Sequence, residues 1–522
     1  MNFSCDIAIV GSGFAGSLLA MIAHRLGRSV ILLERGRHPR FVIGESSTPL
    51  TNLLLEDLAS RYDLPRIAGL SKWGTWQRQH PRIACGLKRG FTFYHHEFGK
   101  AFEPRENRTN ELLVGASPRD EMADTHWYRP DFDHFLVREA QALGVEYLDE
   151  VALMDAQFDR AGGRIEGERA KQRFSINARL VVDASGPRGF LHRALGLPEA
   201  KLPNLPATHG LYTHFTDVRR FADLIADSYE EVPPYPPDNA ALHHIFDGGW
   251  IWVLRFNNGI TSAGAVVTEQ VANRFNFREG VEAWQRLLHE LPSVRAQFLD
   301  ARPTIPFTYA PRLSFRSGVV TGPGWLLLPS AAGFVDPLLS TGFPLTLLGV
   351  NRLARIIEEA WGTEEFETRL AACAQQTTDE LLVTERLVAG LYAVMNDFPV
   401  FQALSLLYFA AVSFSEAAWR RNKPNVAPAF LLHDRPGFGR GLRECCDLAL
   451  RAANGRLSDP PRTELLNKIL RTISPIDVAG LSDRTRRNWY PAPADDVTSS
   501  LPMGDGLVLS ENSRKSEPIP SS

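Results

Sequence analysis

The chain has 522 residues, of which 44% are hydrophobic and 22% are charged, as is typical of a soluble globular protein. This length exceeds what one compact core usually supports and predicts two or three subdomains. A net charge of -3 gives no electrostatic basis for binding nucleic acid or an anionic membrane. The five cysteines show neither zinc spacing nor a disulfide framework, so we expect a cytoplasmic protein without a metal site.

The chain opens with a predicted strand, a glycine-rich turn and a helix. Residues 6–10 are apolar and β-branched, residues 18–26 have apolar helical spacing, and residues 29–34 form a second predicted strand. This opening is unlike a signal peptide, because it lacks a basic start and its glycines weaken a hydrophobic helix. The pattern predicts a βαβ unit.

The turn of this unit, GSGFAG (11–16), has the spacing of a dinucleotide-binding fingerprint. In that fingerprint the first glycine makes the tight turn, the second lets the backbone approach pyrophosphate, and the third lets the helix pack on the strand. The helix N-terminus then faces the phosphates, and an acidic residue ending the second strand binds ribose hydroxyls. The predicted dinucleotide site consists of Gly11, Gly13, Phe14, Ala15, Gly16, Glu34 and Arg35.

The remaining pattern predicts further subdomains. Runs at 178–186 and 325–333 are predicted strands of the first sheet, whereas 205–315 alternates apolar and polar residues as a mostly antiparallel second sheet. Within it, residues 243–266 are predicted as two strands joined by a hairpin at 257–259. Apolar helical spacing from 345 to 457 predicts a helical region. Its apolar run at 403–414 is shorter than the roughly 20 residues of a membrane span, so we expect a buried helix and no stable membrane insertion.

We therefore predict three parts of the chain. Residues 1–345 form a nucleotide-binding module with the second sheet inserted at about 205–315, residues 346–490 form a helical C-terminal region, and residues 491–522, rich in Pro, Ser and Asp, form a disordered tail. No second glycine fingerprint follows the first. A separate NAD(P)H-binding domain is thus not predicted, and FAD is favoured over NAD.

Several stretches together resemble the flavin-dependent halogenases. GESSTP (44–49) is similar to the strap that follows the second strand in that family and links flavin to substrate. GGWIWVLRF (248–256) is similar to the family signature W-x-W-x-I-P, with Leu254 and Arg255 in place of Ile and Pro. GFVDPLLSTG (333–342) fits a second signature, F-x-x-P-x-x-S-x-G. The resemblance runs to about Pro491 and is nearest to the halogenase type that acts on the pyrrole ring in pyrrolnitrin biosynthesis.

The resemblance implies an α/β protein with a Rossmann-like FAD-binding fold of the aromatic hydroxylase type, an antiparallel substrate sheet and a C-terminal helical region. It implies that reduced FAD, supplied by a separate flavin reductase, reacts with O2 to a C4a-hydroperoxide. Chloride or bromide attacks this species to give hypohalous acid. The acid passes through a tunnel to a lysine, which delivers it to a small aromatic substrate.

The family motifs also assign residues to these tasks. Lys88, before a glycine and an aromatic strand, matches the catalytic lysine; Lys72 and Lys100 are the competitors. Successive N–H groups at Thr341 and Gly342 would hold halide. The predicted tunnel residues are Trp250, Trp252, Phe334, Pro337 and Ser340. Further residues expected to contact FAD are Ser46 in the strap, Arg129 of an R-x-x-x-D segment, Asp183 of the DASG turn, and Asp336.

One departure from the family pattern concerns the substrate. Tryptophan halogenases have a glutamate where this chain has Leu339, so an electron-rich pyrrole or phenol is expected instead of free tryptophan. Another base for the ring proton is then needed, and the candidates are His95, His96 and Glu97. The alternatives left open are an aromatic hydroxylase and a flavin oxidoreductase similar to geranylgeranyl reductase. Halide preference, oligomeric state and whether the substrate is free or carrier-bound also stay open.

Overall fold

A computed structural model of the chain describes residues 1–451 and 458–493. The predicted disordered tail lies, beyond residue 493, outside the described residues. In chain order the strands are β1 (Asn2–Val10), β2 (Val30–Leu33), β3 (Cys85–Lys88), β4 (Gly90–His95), β5 (Glu111–Gly115), β6 (Asp124–Trp127), β7 (Glu146–Leu148), β8 (Ala152–Asp159), β9 (Gly162–Arg169), β10 (Gln172–Asp183), β11 (Thr208–Thr216), β12 (Ala241–Phe246), β13 (Gly249–Arg255), β14 (Thr261–Thr268), β15 (Arg302–Pro303), β16 (Thr308–Ala310), β17 (Phe315–Arg316), β18 (Thr321–Gly322), β19 (Trp325–Leu327), β20 (Gly333–Phe334) and β21 (Trp489–Tyr490).

The helices are α1 (Phe14–Arg25), α2 (Pro49–Arg61), α3 (Pro65–Ala68), α4 (Trp73–Gln79), α5 (Arg129–Ala142), α6 (Phe190–Ala194), α7 (Phe221–Leu224), α8 (Glu269–Phe275), α9 (Val281–His289), α10 (Pro292–Gln297), α11 (Pro329–Ala332), α12 (Gly342–Ala360), α13 (Glu365–Ala393), α14 (Phe398–Arg420), α15 (Pro436–Leu450) and α16 (Pro461–Ile473).

The first sheet has the order β18-β19-β10-β1-β2-β7 and is parallel from β19 to β7. All four residues of β2 and the last four of β1 are buried, as expected for strands covered on both faces. The predicted βαβ unit is confirmed, with α1 packed against α5 and α12. The run at 325–333 is not one strand, because Pro329 begins the short helix α11 directly after β19.

The second sheet has the order β15-β11-β14-β13-β12-β4-β5-β21 and is mostly antiparallel. Its strands β4, β5 and β21 come from outside the predicted segment 205–315, and β12 pairs with β4 in parallel. Residues 243–266 span three strands and not two, because a second tight turn at Asp247 and Gly248 separates β12 from β13. Gly248 has φ +77°, a conformation that glycine adopts readily.

The helices α12–α16 form the C-terminal region, in which α14 packs on the second sheet and Phe409 contacts Phe91 and Phe93. The apolar run at 403–414 lies within α14. Among the described residues, this is the one helix with the length and composition of a membrane span, and 78% of its apolar window is buried inside the protein. α14 is therefore a core helix, and its buried face forms a wall of the site described below.

Candidate active site

A large cavity of about 870 Å³ opens at the carboxyl ends of β1 and β2. This is where parallel α/β sheets bind their ligands. The cavity brings together most of the residues predicted for the cofactor and halide sites. Those that line it are Gly11, Gly13, Phe14, Ala15, Glu34, Arg35, Arg129, Asp336, Thr341 and Gly342.

The glycine turn has the close approaches that its motif predicts. Gly11 has φ +102°, and a Cβ there would lie 2.7 Å from the carbonyl group of Ala184. A Cβ at Gly16 would lie 1.9 Å from the carbonyl oxygen of Gly11, so this glycine serves the packing of α1 on the turn. Gly13 immediately precedes α1 and faces the cavity, with the Arg129 guanidinium 3.5 Å from the position of a Cβ.

Glu34 lies at the cavity wall as a strongly hydrogen-bonded carboxylate. Its Oε1 accepts from the Gly36 N–H at 2.9 Å, and its Oε2 accepts from the Ser12 N–H at 3.1 Å, the Ser12 hydroxyl at 2.9 Å and Arg40 at 3.1 Å. Burial opposes ionisation, but Arg40 and these donors outweigh it and hold the pKa of Glu34 below its ordinary value. The carboxylate is thus kept ionised and in place to accept further bonds from a ligand.

Arg129 opens α5, as its motif predicts, and crosses from the helix to the strap. Its guanidinium makes two 2.8 Å bonds to the buried carboxylate of Asp133 and donates to the carbonyl oxygen of Gly44 at 2.8 Å. A bidentate pair of this kind fixes the arginine in one orientation. The side chain therefore supplies a rigid positive charge beside the glycine turn.

Besides Gly16, two residues predicted to contact FAD do not line the cavity. The Asp183 carboxylate accepts bonds from the Ser185 N–H and hydroxyl and from the Leu191 N–H, so it holds the DASG turn and the start of α6 instead of reaching the cavity. Ser46 is bridged to His126 of β6 and faces away from the large cavity. The structure gives both residues supporting positions behind the wall.

The segment predicted to hold halide forms a strained turn before α12. Leu339 and Ser340 have φ +68° and +55°, a region that costs residues other than glycine about 1–3 kcal/mol each. α12 begins at Gly342, and the first N–H groups of a helix have no acceptor within it. Thr341 and Gly342 thus present backbone donors to the cavity, while the Leu339 side chain is buried in the core.

A buried hydrogen-bond chain connects this turn to the tryptophan pair. The Trp250 indole N–H donates to the Tyr392 hydroxyl at 3.1 Å, and that hydroxyl donates to Asp336 Oδ2 at 3.0 Å. Burial raises the pKa of Asp336 to about 7, against the bonds from Leu338, Tyr392 and Trp250. Tyr392 was not singled out from the sequence, because it lies near the end of the long helix α13 without a local motif.

Four of the five predicted tunnel residues lie behind the wall of the large cavity instead of lining it. Trp250 and Trp252 contact each other with ring centroids 5.9 Å apart, and Pro337 and Ser340 belong to the strained turn. Phe334 alone among the five lines the cavity. The substitution of Arg255 for proline is also explained, because its guanidinium binds the carbonyl oxygens of Val218 and Arg219 at 2.7 and 3.2 Å.

The strap (residues 44–49) links the large cavity to a second, smaller one. Its backbone pairs with β6: the Trp127 N–H donates to the Glu45 carbonyl oxygen, and the Ser47 N–H donates to that of Thr125. Gly44 lines the large cavity, whereas Thr48 lines the small one. Thr48 follows Gly44 by four residues, and four residues of extended chain span roughly 13 Å, so the two cavities are separate but adjacent.

Lys88 ends β3 and is completely buried, with 0% of its surface exposed. Its ammonium group donates to the Ser47 carbonyl oxygen in the strap at 2.5 Å and lies 3.8 Å from the centre of the Phe91 ring. Lys100 is exposed and paired with Glu97, and Lys72 is paired with Glu56. Of the three candidate lysines, Lys88 is therefore the one whose ammonium group is buried and has no carboxylate bound to it in the described residues.

Asp124 is a second residue, after Tyr392, that was not predicted from the sequence. Asp124 stands directly opposite Lys88 in the β3–β6 pairing and is 3% exposed. Asn52 donates to its Oδ1 at 2.6 Å, and among the described residues nothing donates to its Oδ2. Burial lowers the pKa of Lys88 and raises that of Asp124, and the opposite charge of each partner counteracts the shift. The only sequence signal is an acidic residue in the short strand DTHW.

The predicted bases lie away from Lys88. His96 shares a hydrogen bond with His244, and Glu97 is exposed and paired with Lys100. His96 and Glu97 follow the end of β4, and Lys88 precedes its start; the six residues of this strand span roughly 20 Å. His95, at the end of the same strand, stacks on Phe398. The structure thus places these residues at or beyond the end of β4, whereas Lys88 precedes its start, and their role as bases for the ring proton stays a prediction.

The small cavity, of about 100 Å³, lies between the start of α2, the second sheet and α14. Phe91 is part of its wall and at the same time lies under the Lys88 ammonium group. Its wall is mainly apolar and aromatic, with one carboxylate from Glu416. The principal lining residues are Thr48, Leu50, Phe91, Val114, Met122, Tyr408, Phe409, Val412, Ser413, Glu416 and Arg420.

Comparison with known proteins gives consistent results. A family model described as tryptophan halogenase matches residues 124–384. The chain is 29% identical over 412 residues to the monodechloroaminopyrrolnitrin halogenase PrnC of Pseudomonas fluorescens, covering 77% of this chain and 70% of that protein. It is also 29% identical over 416 residues to the tetracycline 7-halogenase of Kitasatospora aureofaciens, covering 78% of this chain and 73% of that protein.

Among solved structures, the halogenase PltM superposes with a TM-score of 0.80 at 25% identity over 92% of this chain and 99% of that one. The same protein has been solved in complex with phloroglucinol and FAD, and this structure matches at 24% identity with the same TM-score and coverage. The flavin-dependent brominase Bmp2 superposes with a TM-score of 0.58 at 20% identity over 74% of this chain and 87% of that one. These superpositions confirm the predicted fold class.

Proposed function

The protein belongs to the tryptophan halogenase family and is a flavin-dependent halogenase; we propose that it delivers hypohalous acid through Lys88 to an electron-rich pyrrole or phenol. The observation that supports this most strongly is the position of Lys88. Its buried ammonium group lies between the strap from the large cavity and the aromatic wall of the small one. In this proposal the oxidant from the large cavity and the arene in the small one meet at Lys88.

The large cavity fits FAD, which the family requires. The glycine turn leaves backbone N–H groups open to a pyrophosphate, Glu34 is held ready for ribose hydroxyls, and Arg129 adds a fixed positive charge. When bound in reduced form, FAD supplies with O2 the oxidation of halide to hypohalous acid. We propose that a separate flavin reductase provides the reduced form, because no second glycine fingerprint occurs in the sequence.

Within this scheme, residues of the chain bind the halide, keep the arene away from the flavin and deliver the hypohalous acid. The N–H groups of Thr341 and Gly342 bind chloride or bromide at the start of α12. Trp250 and Trp252 fill the space behind the cavity wall and keep the arene on the far side. Lys88 binds hypohalous acid by a hydrogen bond when protonated, or forms a haloamine when neutral. Because burial lowers its pKa, both forms are accessible near neutral pH.

The substrate proposal rests on the relatives and on Leu339. The names of two relatives specify a pyrrole-containing compound and a tetracycline, and PltM has been solved with a phenol. Leu339 is buried in the core and offers no charge to a ring. An arene whose own nitrogen or oxygen stabilises the positive charge of the reaction suits such a site.

The test is the mass of the product formed with chloride, with bromide and with neither. Purified protein is supplied with FAD, a flavin reductase with NADH, O2 and an electron-rich phenol or pyrrole. We expect a product whose mass shifts by one halogen for hydrogen and depends on which halide is present. A hydroxylated product that forms without halide would instead indicate an aromatic hydroxylase.

A further inference from the structure

We propose that Glu416 is the substrate-positioning residue of the small cavity and selects arenes with an N–H or O–H donor. The proposal rests on the function proposed above and adds the feature of the substrate that the protein recognises. The other side chains that line the cavity are mainly apolar and aromatic, with Thr48, Ser117, Ser413 and Arg420 as the further polar ones. A carboxylate in such surroundings dominates the recognition of polar groups.

The geometry of Glu416 leaves one oxygen for a ligand. Arg420, one turn further along α14, donates to Glu416 Oε1 from its Nε at 2.9 Å and from Nη2 at 2.8 Å. Among the described residues nothing donates to Oε2. The Glu416 side chain is 18% exposed, and both residues line the small cavity. The arginine therefore anchors the carboxylate while one acceptor oxygen remains unused.

The surrounding charges favour a neutral donor as the partner. Arg420 already balances the charge of Glu416, and Lys72 adds a weaker positive field. Burial raises the pKa of Glu416, and the bonds from Arg420 oppose this rise. A cationic ligand is not needed for charge balance, whereas a neutral N–H or O–H supplies the missing hydrogen bond without adding charge.

Glu416 also interacts electrostatically with Asp124, the residue opposite Lys88. Phe91 forms the wall between the cavity and the Lys88 ammonium group. An arene held by its donor at Glu416 is thus confined in the cavity beside Lys88. A hydrogen bond to a carboxylate also pushes electron density from the donor into the ring and activates its carbons towards an electrophile.

The selection follows from the cost of leaving the carboxylate unpaired. A site built to bind a hydroxyl or N–H rejects the analogue without it by up to about 10⁴-fold, because its own polar group then stays buried and unpaired. The methylated analogue of a phenol or pyrrole keeps the electron-rich ring and loses only the donor. Comparing the two isolates the contribution of Glu416.

The experiment uses resorcinol and pyrrole with their donor-free counterparts, 1,3-dimethoxybenzene and N-methylpyrrole. Equilibrium binding and the steady-state rates are measured for the full-length protein with FAD. Wild-type protein is expected to bind and halogenate the donor compounds at least 100-fold better in kcat/KM. Glu416→Gln is expected to lower this preference to below tenfold, mainly by raising KM, and Glu416→Asp to restore part of it.

The controls separate this proposal from the proposed function. Glu365→Gln removes a similar i,i+4 pair with Arg369 on α13 and is expected to leave the preference unchanged. Formation of hypohalous acid is followed with monochlorodimedone as a trap, and its absence in wild type contradicts the proposed function. If the trap is halogenated but donor compounds fail to bind better, or Glu416→Gln keeps the preference, the role of Glu416 is overturned.

Discussion

The large and small cavities differ in almost every physical property. The large one is lined by glycines, backbone N–H groups and a fixed arginine, which suit a charged dinucleotide. The small one is lined by aromatic and aliphatic side chains around one carboxylate, which suit a neutral ring. The strap runs from one to the other, and the Lys88 ammonium group donates to its Ser47 carbonyl oxygen. Under the proposed function the large cavity forms the oxidant and the small one binds the arene, so variants on one side should spare the other.

The largest expected effect is that of Lys88→Ala. Loss of a positioned group that activates the electrophile should lower the halogenation rate on the order of 10³-fold. Oxidation of reduced FAD should continue, because the large cavity is unchanged. Product formation by mass spectrometry and flavin oxidation by absorbance measure the two separately.

Two variants serve as controls for Lys88→Ala. Lys88→Met keeps the volume of the side chain and avoids a cavity, so its thermal midpoint should stay near that of wild type while halogenation is lost. Lys100→Ala removes an exposed lysine paired with Glu97 and should halogenate normally. Halogenation by Lys88→Met at the wild-type rate would show that the lysine does not deliver the electrophile.

Gly13→Ala tests the large cavity. Gly13 has φ -67°, and a Cβ there meets no atom closer than 3.5 Å, so the variant should fold normally. The methyl group would, however, occupy the approach to the pyrophosphate. FAD affinity, measured by fluorescence quenching, should fall about tenfold or more.

The matched control for Gly13→Ala is Gly437→Ala, where a Cβ meets no atom within 4 Å on α15, far from either cavity. It should bind FAD as wild type does. Unchanged FAD affinity in Gly13→Ala would mean that the cofactor does not contact this turn. Binding of resorcinol to the small cavity should be the same in both variants, as expected if the two sites are independent.

Asp124→Asn should shift the pH dependence of halogenation. The Asp124 charge opposes the effect of burial and keeps the pKa of Lys88 from falling further. Without it, the pKa of Lys88 falls, so the limb of the pH–rate profile that Lys88 controls moves to lower pH. If the basic limb moves, the protonated lysine is the active form; if the acidic limb moves, the neutral form is active.

At the pH optimum of the wild type, we expect the Asp124→Asn rate to be lowered about tenfold when the protonated lysine is required. Asp120→Asn, which removes an exposed partner of Arg89, is the control and should keep the wild-type profile. A profile in Asp124→Asn that coincides with the wild type would contradict the electrostatic role of the pair. FAD affinity should not change in either variant.

The two cavities also differ in how far the sequence predicts them. The dinucleotide turn is local: Gly11, Gly13 and Gly16 lie within six residues, and Glu34 follows at the end of the next strand. Lys88 was predicted from its resemblance to a family motif. Its partner Asp124 depends on the pairing of β3 with β6, which is a matter of strand register between distant segments.

The residues of the small cavity show the same limit more clearly. Glu416 lies more than 300 residues from Thr48 and Phe91, and only the packing of α14 on the second sheet brings them together. The helical pattern of this segment predicted a buried helix but not which face meets the sheet. The role of His95, His96 and Glu97 as bases stays a prediction for the same reason, since nearness in sequence to Lys88 does not fix nearness in space.

The smallest expected effect is that of Tyr392→Phe, which acts on the wall between the two cavities. It removes the acceptor of the Trp250 indole and one donor to Asp336, and a lost bond of this kind is worth about 1 kcal/mol. The amount of halogenated product per flavin oxidised should fall two- to fivefold, because a less firmly held Trp250 lets oxidant escape. Since the Tyr392 bond lowers the pKa of Asp336, its loss should move any limb of the pH–rate profile that Asp336 controls to higher pH.

The control is Tyr62→Phe, which removes one hydrogen bond to Glu358 away from both cavities and should leave the product yield unchanged. An unaltered yield in Tyr392→Phe would show that the wall holds without this bond, and that the separation of the two cavities depends on the packing of the tryptophans alone.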